Sequence, residues 1–483
     1  MIKTHLINIF GSANVIDDPE TLEHYSKDHT LAPPREPMYV VIAENPLQIQ
    51  KLVVFGNKEK IPITPRSSEE SFYGLTIPNE GGIVLDLSNM KKILEVDPRN
   101  RRTRIEPGVT YGELQETLEK YDLMALNPLL PHHSKSVLSS HLERDPILIP
   151  KYEYADPLLV LEAVLPNGDI FRTGSTFTTY APDEQVSDLK GPWGPGLDFY
   201  RLFQGAQGTL GIVTWVSIKV EYLPKKQKIF YLFFKDVKDF VDPAYEIQRL
   251  MLGNECFILN RLNFAMTISG SCAEDFRKIL NALPPWIFIL CISGMKRRPE
   301  ERIEYEEESL RNIAKKYSAK ISNNIPGIDG REKRLEKKLR TSWPDDEEYW
   351  RLRMGGSFQD ISFHTTLDKL PKIHDLIIAE MESQNLSKDR LGCYFQPLER
   401  GRVYSCEYTF FYDAADTKLS YAIKAFRVRL GEILLLNGAL INRPYGELAQ
   451  AVYKHTGYYL EALKKIKRIF DPNDIMNPGK LYV

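Results

Sequence analysis

The hydrophobic and polar positions of the chain predict short helices that alternate with short strands as far as residue 222. Apolar runs predict the strands, which lie at 38–44, 61–64, 81–87 and in two hairpins, one with its tip at 97–100 and one over 158–174. Apolar residues at helical spacing predict helices over 18–31, over 45–60 and directly after Thr110. This part of the chain is therefore expected to be an α+β fold with mixed sheets.

A different pattern occupies residues 223–425. Long apolar runs and the segments between them predict an antiparallel sheet backed by helices, with runs at 229–237, 256–268 and 286–293 and helices near 241–252 and 297–319. The helix over 297–319 is strongly charged, which is typical of a solvated helix face. Residues 426–483 contain an amphipathic helix over 458–470 and a turn-rich tail.

Composition and charge narrow the possible function classes. The 483 residues are 43% hydrophobic and 27% charged, as in an ordinary globular enzyme, and the net charge of −2 gives no field that would attract nucleic acid. The five cysteines show no CxxC spacing, which favours reduced thiols and a cytoplasmic protein. We expect no signal peptide and no metal site, and no run reaches the roughly 18 apolar residues of a membrane span.

Five segments follow one another along the chain and carry most of its turn chemistry. They are IPITPRSS…GGIVLDLSNMKKILEVD (61–97), RIEPGVTYGELQ (104–115), VLPNGDIFRTG (164–174), LDFYRLFQGAQGTLGIVT (197–214) and FDPNDIMNPGKL (470–481). No GxGxxG follows a predicted strand, so a Rossmann dinucleotide fold is not indicated. In order and spacing, the segments resemble the FAD-linked oxidoreductases of vanillyl-alcohol oxidase and p-cresol methylhydroxylase (PCMH) type, which include D-lactate and glycolate dehydrogenases.

The resemblance implies the architecture of the whole chain. Residues 1–222 would form a PCMH-type FAD-binding domain of two α+β subdomains. Residues 223–425 would form a cap domain, an antiparallel sheet covered by helices, over the flavin and the substrate. Residues 426–483 would return to the FAD domain. The expected fold class is therefore α+β.

The resemblance also implies cofactor contacts, although two of the contact segments depart from the family pattern. The implied contacts are Pro65, Arg66, Ser67, Ser68, Ser71, Gly74, Pro107, Gly108, Val109, Lys135, Ser136, Ser139, Ser140, Gly208, Gly211, Ile212, Val213, Asn477 and Lys480. Glu69 and Glu70 stand in a turn where the family has glycines, and Ser139 and Ser140 replace a Gly–Asn pair. Two carboxylates that faced the FAD pyrophosphate would be costly unless they were protonated or paired.

The mode of flavin attachment can also be inferred from the resemblance. The family often tethers the flavin through His, Cys or Tyr. Gly392 stands near the family's tethering His, and the neighbouring Cys393 is expected to be a buried strand residue. We therefore expect non-covalent FAD, or no FAD at all if the substitutions at the two contact segments abolish its binding.

Candidate catalytic residues are fewer. Arg443 matches the arginine of a Tyr–Arg pair in the aryl-alcohol branch, so it is a candidate for binding a carboxylate or phenolate, or for a structural salt bridge between domains. The acidic base of that branch has no clear equivalent, and His132 and His133 are the nearest candidates because imidazole can replace it. Two cap segments are further candidates for the pocket wall, at 351–356 and 364–366.

Two functions are compatible with these observations. The first is an FAD-dependent dehydrogenase or oxidase that takes a hydride from an alcohol, an aryl alcohol or alkylphenol, or a 2-hydroxy acid to flavin N5. The alternative is a degenerate family member without functional FAD that acts as a structural or regulatory subunit of a complex. Expected partners are a small-molecule substrate, an electron acceptor or partner subunit, and further copies in a homo- or hetero-oligomer, but not nucleic acid.

Overall fold

The N-terminal subdomain is a four-stranded sheet covered by helices. The computed structural model describes residues 1–149, 156–176, 191–194, 196–270, 273–325, 330 and 332–481. The first elements are α1 (Ile2–Phe10), β1 (Val15–Ile16), α2 (Pro19–Tyr25), β2 (Tyr39–Ile42), α3 (Pro46–Glu59), β3 (Ile63–Arg66) and β4 (Ile83–Asp86). The strand order is β1–β2–β4–β3, with β2, β4 and β3 parallel. The Asn45 side chain caps α3 by accepting from the Gln48 N–H, and α3 buries Ile49, Leu52 and Val53.

The second subdomain is an antiparallel sheet whose long central strand pairs with three others. Its elements are β5 (Ile93–Asp97), β6 (Arg102–Ile105), α4 (Tyr111–Glu119), β7 (Leu123–Ala125), α5 (Val137–Leu142), β8 (Leu158–Val164), β9 (Ile170–Arg172), α6 (Tyr200–Phe203) and β10 (Ile212–Tyr222). The strand order is β5–β6–β10–β8–β9, and β7 pairs with the far end of β10. Thr110 and Glu113 form a capping box that starts α4.

The middle of the chain forms a seven-stranded antiparallel sheet with a hydrophobic core on each face. Its elements are β11 (Lys226–Phe234), α7 (Val241–Arg249), β12 (Glu255–Asn260), α8 (Arg261–Ile268), α9 (Ala273–Ala282), β13 (Trp286–Gly294), α10 (Pro299–Lys316), β14 (Lys320–Ser322), α11 (Glu332–Lys338), β15 (Gly356–Thr365), α12 (Leu370–Ser383), β16 (Leu391–Leu398), β17 (Val403–Asp413) and α13 (Thr417–Leu436). The strand order is β14–β11–β13–β12–β16–β17–β15. Along β11, Phe230 and Leu232 enter one core while Ile229 and Tyr231 enter the other.

The C-terminal segment returns to the N-terminal subdomain. After α14 (Glu447–Tyr453) and α15 (Tyr458–Phe470), the tail runs beside β3. The Ile63 N–H donates to the Ile475 carbonyl oxygen at 2.7 Å, and the Asn477 N–H donates to the Ile63 carbonyl oxygen at 2.9 Å. The two ends of the chain therefore build one surface together.

The structure confirms the expected fold class and corrects two element boundaries. The helix predicted over 18–31 ends at Tyr25, because Asp28 is engaged with the loop after β3. The apolar run 256–268 is a strand followed by a helix, because the Asn260 side chain caps α8. The predicted domain limits stay a prediction, and the limit at 425 falls inside α13. In the described part of the chain, no helix combines the length and apolar character needed to cross a membrane.

Candidate functional site

A cleft opens where the loop after β3, helix α5, the start of β10 and the C-terminal tail meet. It encloses about 960 Å³ of empty space. The predicted cofactor residues that line it are Pro65, Arg66, Ser67, Ser68, Ser71, Pro107, Lys135, Ser139, Gly208, Gly211, Ile212, Val213 and Asn477. Their individual roles stay a prediction, but residues from distant parts of the sequence share one concave surface.

The other predicted cofactor residues lie beside the cleft or behind its wall. Gly74 and Lys480 line a neighbouring groove. Gly108 packs so closely on Ser88 that a Cβ atom would come within 2.3 Å of the Ser88 carbonyl oxygen. The remaining members, Val109, Ser136 and Ser140, are buried behind the cleft wall.

The loop after β3 is held by its own groups and by Asp28. The Arg66 Nε donates to the Ser68 carbonyl oxygen at 3.2 Å, so Arg66 stabilises the loop while it also lines the cleft. The Asp28 carboxylate accepts from the Ser71 hydroxyl at 3.0 Å and from the Gly74 N–H at 2.7 Å. This loop is therefore fixed in shape by contacts that do not require a ligand.

The two glutamates of this loop have different environments. Glu69 is exposed, whereas Glu70 lines the cleft with its carboxylate 3.5 Å from His29 Nε2 and 3.7 Å from His132 Nδ1. Burial favours a raised pKa for Glu70, but the His29 hydrogen bond and the charge of His132 outweigh it and lower the pKa. The hydrogen bond to Glu70 raises the pKa of His29, whereas burial lowers the pKa of His132. One carboxylate thus points to solvent and the other is paired with imidazoles.

Ser136 joins the second altered segment to the first. Its N–H donates to Ser68 Oγ at 3.2 Å, and its hydroxyl donates to the Pro107 carbonyl oxygen at 2.7 Å. As the N-cap of α5, the Ser136 side chain also accepts from the Ser139 N–H at 3.2 Å. The Ser139 hydroxyl donates back to the Ser136 carbonyl oxygen at 3.1 Å. Ser136 and Ser139 therefore hydrogen-bond to each other, and the cleft beside them stays open.

The C-terminal tail completes the cleft. The Asn477 side-chain amide donates to the carbonyl oxygens of Leu75 at 3.1 Å and Gln207 at 2.8 Å. The Lys480 ammonium donates to the Gly74 carbonyl oxygen at 2.7 Å, and burial lowers the pKa of Lys480 to about 8. The tail thus ties the loop after β3 to the segment that precedes β10.

A second cavity, here called the chamber, lies between the two N-terminal subdomains and the cap, and its empty volume, with the adjoining solvent included, is about 530 Å³. Phe72 and Tyr73 line both the chamber and the cleft. The other apolar and aromatic residues of the chamber wall are Pro128, Leu129, Pro131, Pro146, Tyr349, Phe358 and Tyr394. Its charged residues are Lys135, Asp145, Arg351, Asp360, Glu407 and Arg443.

Asp145 is the centre of one charged cluster in the chamber. Its Oδ1 accepts from the Tyr73 hydroxyl at 3.0 Å and from the Arg443 guanidinium. Its Oδ2 accepts from the Lys135 ammonium and from the Ser140 hydroxyl at 2.6 Å. Burial favours a raised pKa for Asp145, but the charges of Lys135 and Arg443 outweigh it and hold the pKa well below its ordinary value. Arg443 is therefore already paired with a carboxylate of the protein.

Arg351 is the centre of a second cluster on the cap side. Its Nη2 donates to Glu407 Oε1 at 2.6 Å, and its Nη1 lies 3.8 Å from Asp360 Oδ2. Burial raises the pKa of Glu407, and Arg351 opposes that rise. Arg351 belongs to the segment 351–356, which the sequence proposed for the pocket wall.

The predicted catalytic histidines lie outside the chamber wall. The His133 ring packs on Gly112, where an added Cβ would come within 2.1 Å of the ring, and His133 Nδ1 lies 3.4 Å from the Ser342 hydroxyl. The His132 ring packs edge-on against Tyr349 at 5.1 Å and faces Glu70. Neither histidine lines the chamber, and their role as catalytic bases stays a prediction.

Two further positions in the cap that the sequence singled out lie away from the chamber. Cys393 is buried, as expected, in the same core as Phe230, whereas the adjacent Tyr394 points to the other face of the sheet and lines the chamber. His364 lies in a separate small cavity beside Arg144, and burial lowers the pKa of His364 to about 4. Neither Cys393 nor His364 is thus part of the chamber wall.

Tyr73, Asp145 and Glu407 are among the chamber residues that the sequence analysis did not predict. Tyr73 lies in the loop after β3, and the signal for it was an aromatic residue in a turn expected to bind an anion. Asp145 follows the altered segment that contains Ser139 and Ser140. Glu407 lies in β17, and the alternation of residues along a strand does not reveal which side chains face it from other elements.

The comparisons with known proteins agree with this geometry. Residues 37–174 match the FAD binding domain model, and residues 449–481 match the C-terminal domain of FAD linked oxidases. The chain therefore carries the FAD-binding domain and the C-terminal domain of FAD-linked oxidases. Both matched regions contribute residues to the cleft, as the sequence resemblance implied.

Known proteins similar to this chain match it over nearly its whole length. Glycolate oxidase subunit GlcD of Bacillus subtilis is 25% identical over 100% of this chain and 96% of its own length. The mitochondrial D-lactate dehydrogenase (cytochrome) of Arabidopsis thaliana is 25% identical over 92% of this chain and 73% of its own. A crystal structure of p-cresol methylhydroxylase with substrate bound has a TM-score of 0.86 at 20% identity, covering 99% and 96% of the two chains. The last comparison confirms the fold.

FAD is the cofactor of the matched domain, and the residues of the cleft fit it. The Ser67 hydroxyl and the positive charges of Arg66 and Lys135 are suited to a dinucleotide pyrophosphate. The Glu70 carboxylate also lines the cleft, where its charge would repel a phosphate, but it is paired with His29 and His132. The cleft therefore stays open at the two altered segments and offers hydrogen-bond donors for a pyrophosphate.

Proposed function

We propose that the protein is an FAD-dependent dehydrogenase or oxidase that takes a hydride from an alcohol, and that aryl alcohols or alkylphenols are its preferred substrates. The observation that supports this most is the chamber, which has aromatic walls and shares Phe72 and Tyr73 with the FAD cleft. The Phe72 ring lies 5.5 Å from the Phe358 ring and 5.8 Å from the Tyr349 ring. Such a wall suits a flat ring better than it suits a small 2-hydroxy acid.

The chain would bind and orient the substrate oxygen at the polar end of the chamber. FAD, when bound, supplies the hydride acceptor. Burial, together with the charge of Asp145, raises the pKa of Tyr73, so its hydroxyl is neutral; it donates to Asp145 and can accept a hydrogen bond from a substrate. Arg443 Nη1 lies 3.5 Å from that hydroxyl. A substrate hydroxyl or phenol placed beside Tyr73 would then be held by a directional contact while the aromatic walls exclude water.

The proton that an alcohol releases on oxidation requires an acceptor. Burial raises the pKa of Glu407, against the opposing charge of Arg351. A carboxyl group with a raised pKa is better suited to accept a proton near neutral pH than one held strongly anionic, as Asp145 is. We therefore favour Glu407 over His132 and His133 as the proton acceptor.

The reduced flavin must pass its electrons to an acceptor. Two relatives support a partner for this step, since one is named as a subunit of glycolate oxidase and the other as a cytochrome-dependent dehydrogenase. We infer that the electron acceptor is a partner subunit or a diffusible acceptor.

Anaerobic mixing of the FAD-loaded protein with 4-hydroxybenzyl alcohol, and separately with D-lactate, tests this proposal. We expect the aryl alcohol to bleach the flavin absorption and D-lactate to leave it unchanged. Glu407→Gln should slow bleaching by at least roughly 100-fold, since general base catalysis contributes about that much. His132→Gln serves as the matched control and should keep most of the rate. Bleaching by D-lactate alone would refute the aromatic preference, and a protein that takes up no FAD would favour the flavin-free alternative.

A further inference from the structure

We propose that Asp145 is a built-in counter-ion that fills the anion site of the chamber and makes the chamber selective for uncharged substrates over carboxylates. The inference rests on the proposed function only in taking the chamber as the substrate site. It assigns a role in specificity to a residue that would otherwise count only as a structural ion pair.

The anion site is complete without a ligand. A carboxylate can accept about four hydrogen bonds, and Asp145 has four donors around it, from Lys135, Arg443, Tyr73 and Ser140. Asp145 and Arg443 are each only 7% exposed. The donors that would bind the carboxylate of a substrate therefore already bind the carboxylate of Asp145.

Asp145 is also held where it is by the backbone around it. Its N–H donates to the Ser140 carbonyl oxygen at 3.0 Å, while the Ser140 hydroxyl donates to its carboxylate. The preceding residue, Arg144, has a φ of 59° and donates from its guanidinium to the Gln204 carbonyl oxygen at 2.8 Å. Because both the residue and its neighbour are anchored, we expect Asp145 to stay in the site rather than swing out when a ligand enters.

The opposite wall of the chamber offers no spare cation either. Arg351 is paired with Glu407 and lies near Asp360, so the three cations and three carboxylates of the described wall form two clusters of ion pairs. The carboxylate of a substrate would add an uncompensated charge to a largely desolvated space, which is unfavourable. A neutral hydroxyl needs only one directional partner, and the Tyr73 hydroxyl can provide it.

A matched pair of probes tests the proposal. 4-Hydroxybenzyl alcohol and 4-hydroxybenzoate have the same ring and phenol, and only the second carries a carboxylate. Their binding to the FAD-loaded protein is measured by calorimetric titration, without any turnover. We expect the wild type to bind the alcohol more tightly than the acid. Asp145→Asn should improve binding of the acid by about 10- to 100-fold, the range for a charge-assisted hydrogen bond, and change binding of the alcohol by less than about threefold.

Two further variants separate the local site from the total charge of the chamber. Asp360→Asn removes a negative charge on the Arg351 side, so we expect it to improve binding of the acid much less than Asp145→Asn does. Lys135→Met combined with Asp145→Asn restores the charge balance and should cancel most of the gain. Equal gains from Asp360→Asn and Asp145→Asn would overturn the assignment of the site to Asp145.

The remaining outcomes are also decisive. An acid that binds Asp145→Asn no better than it binds the wild type overturns the proposal, as does a wild type that prefers the acid. The thermal melt of each variant shows that it is folded, and Asp145→Ser is the second variant if Asp145→Asn melts early. If the acid gains affinity as expected but the alcohol never bleaches the flavin, the counter-ion assignment stands and the proposed hydride transfer fails.

Discussion

Replacing Lys467 by methionine is expected to detach the C-terminal tail from the rest of the FAD-binding surface. The Lys467 ammonium donates to the Asp471 carboxylate at 2.6 Å and to the carbonyl oxygens of Thr209 at 3.0 Å and Met476 at 2.8 Å, and the exposed Asp474 carboxylate lies 3.0 Å away. Asp471 in turn accepts from the N–H groups of Ile475 and Met476. Lys467 and Asp471 are both buried, so one ammonium holds α15, the tail and the segment before β10 together.

The magnitude follows from what the substitution leaves behind. Removing one partner of a buried ion pair costs roughly 3–5 kcal/mol, because the remaining charge stays buried and unpaired. The carbonyl oxygens of Thr209 and Met476 would each lose a donor, which adds about 1 kcal/mol apiece. We therefore expect the free energy of unfolding to fall by at least about 4 kcal/mol for Lys467→Met. FAD affinity should fall as well, because Gly208 and Asn477, which line the cleft, are the sequence neighbours of those two residues.

Urea denaturation of the apoprotein measures the loss of stability, and fluorescence titration with FAD measures the loss of affinity. Lys467→Met combined with Asp471→Asn removes the unpaired charge, so the double variant should be more stable than the single one. Lys465→Met, on the exposed side of the same helix, is the control and should change stability by less than about 0.5 kcal/mol. A loss below about 1 kcal/mol for Lys467→Met, or a double variant weaker than the single one, would refute the reasoning.

The remaining predictions concern the cleft. Gly208→Ala places a Cβ 2.9 Å from Pro65 at a φ of +73°, so we expect a loss of about 1–3 kcal/mol in urea denaturation and weaker FAD binding by titration. Burial raises the pKa of Glu143 to about 7, so its contribution to stability is full below the ordinary carboxyl pKa and is lost as pH rises through 7; Glu143→Gln should flatten this fall in a series of melts. Glu70→Gln removes the hydrogen bond that raises the pKa of His29, so NMR titration should find that pKa lowered.

Much of the fold could be predicted because it depends on local chemistry. The cap at Asn45, the capping box at Thr110 and the turn at Gly168, with its φ of 89°, are all written in short stretches of sequence. The return of the tail to β3 followed from the order of the family-like segments, not from any property of the tail itself. A short turn such as 477–480 has no local signal for the strand beside which it lies.

The chamber was less predictable because it depends on contacts between distant residues. Arg443 was identified as a candidate, and both of its suggested roles assumed that its partner would come from a substrate or from another domain. Its actual partner, Asp145, is nearly 300 residues away, at a separation of 298. His132 and His133 were favoured as bases from their position in the sequence, but the backbone turns both rings toward other elements. Side-chain direction in a loop is set by such packing, which a periodic pattern does not record.

The double use of Phe72 and Tyr73 has a consequence for how this protein could diversify. Because these two side chains form part of the wall of the cleft, of the chamber and of the groove that contains Lys480, a change there is felt in three places at once. A mutation at either position that admitted a new substrate would also disturb the nucleotide. Substitutions that change the substrate range should therefore accumulate on the cap side, at Tyr349 and Phe358, and be rarer at Phe72 and Tyr73.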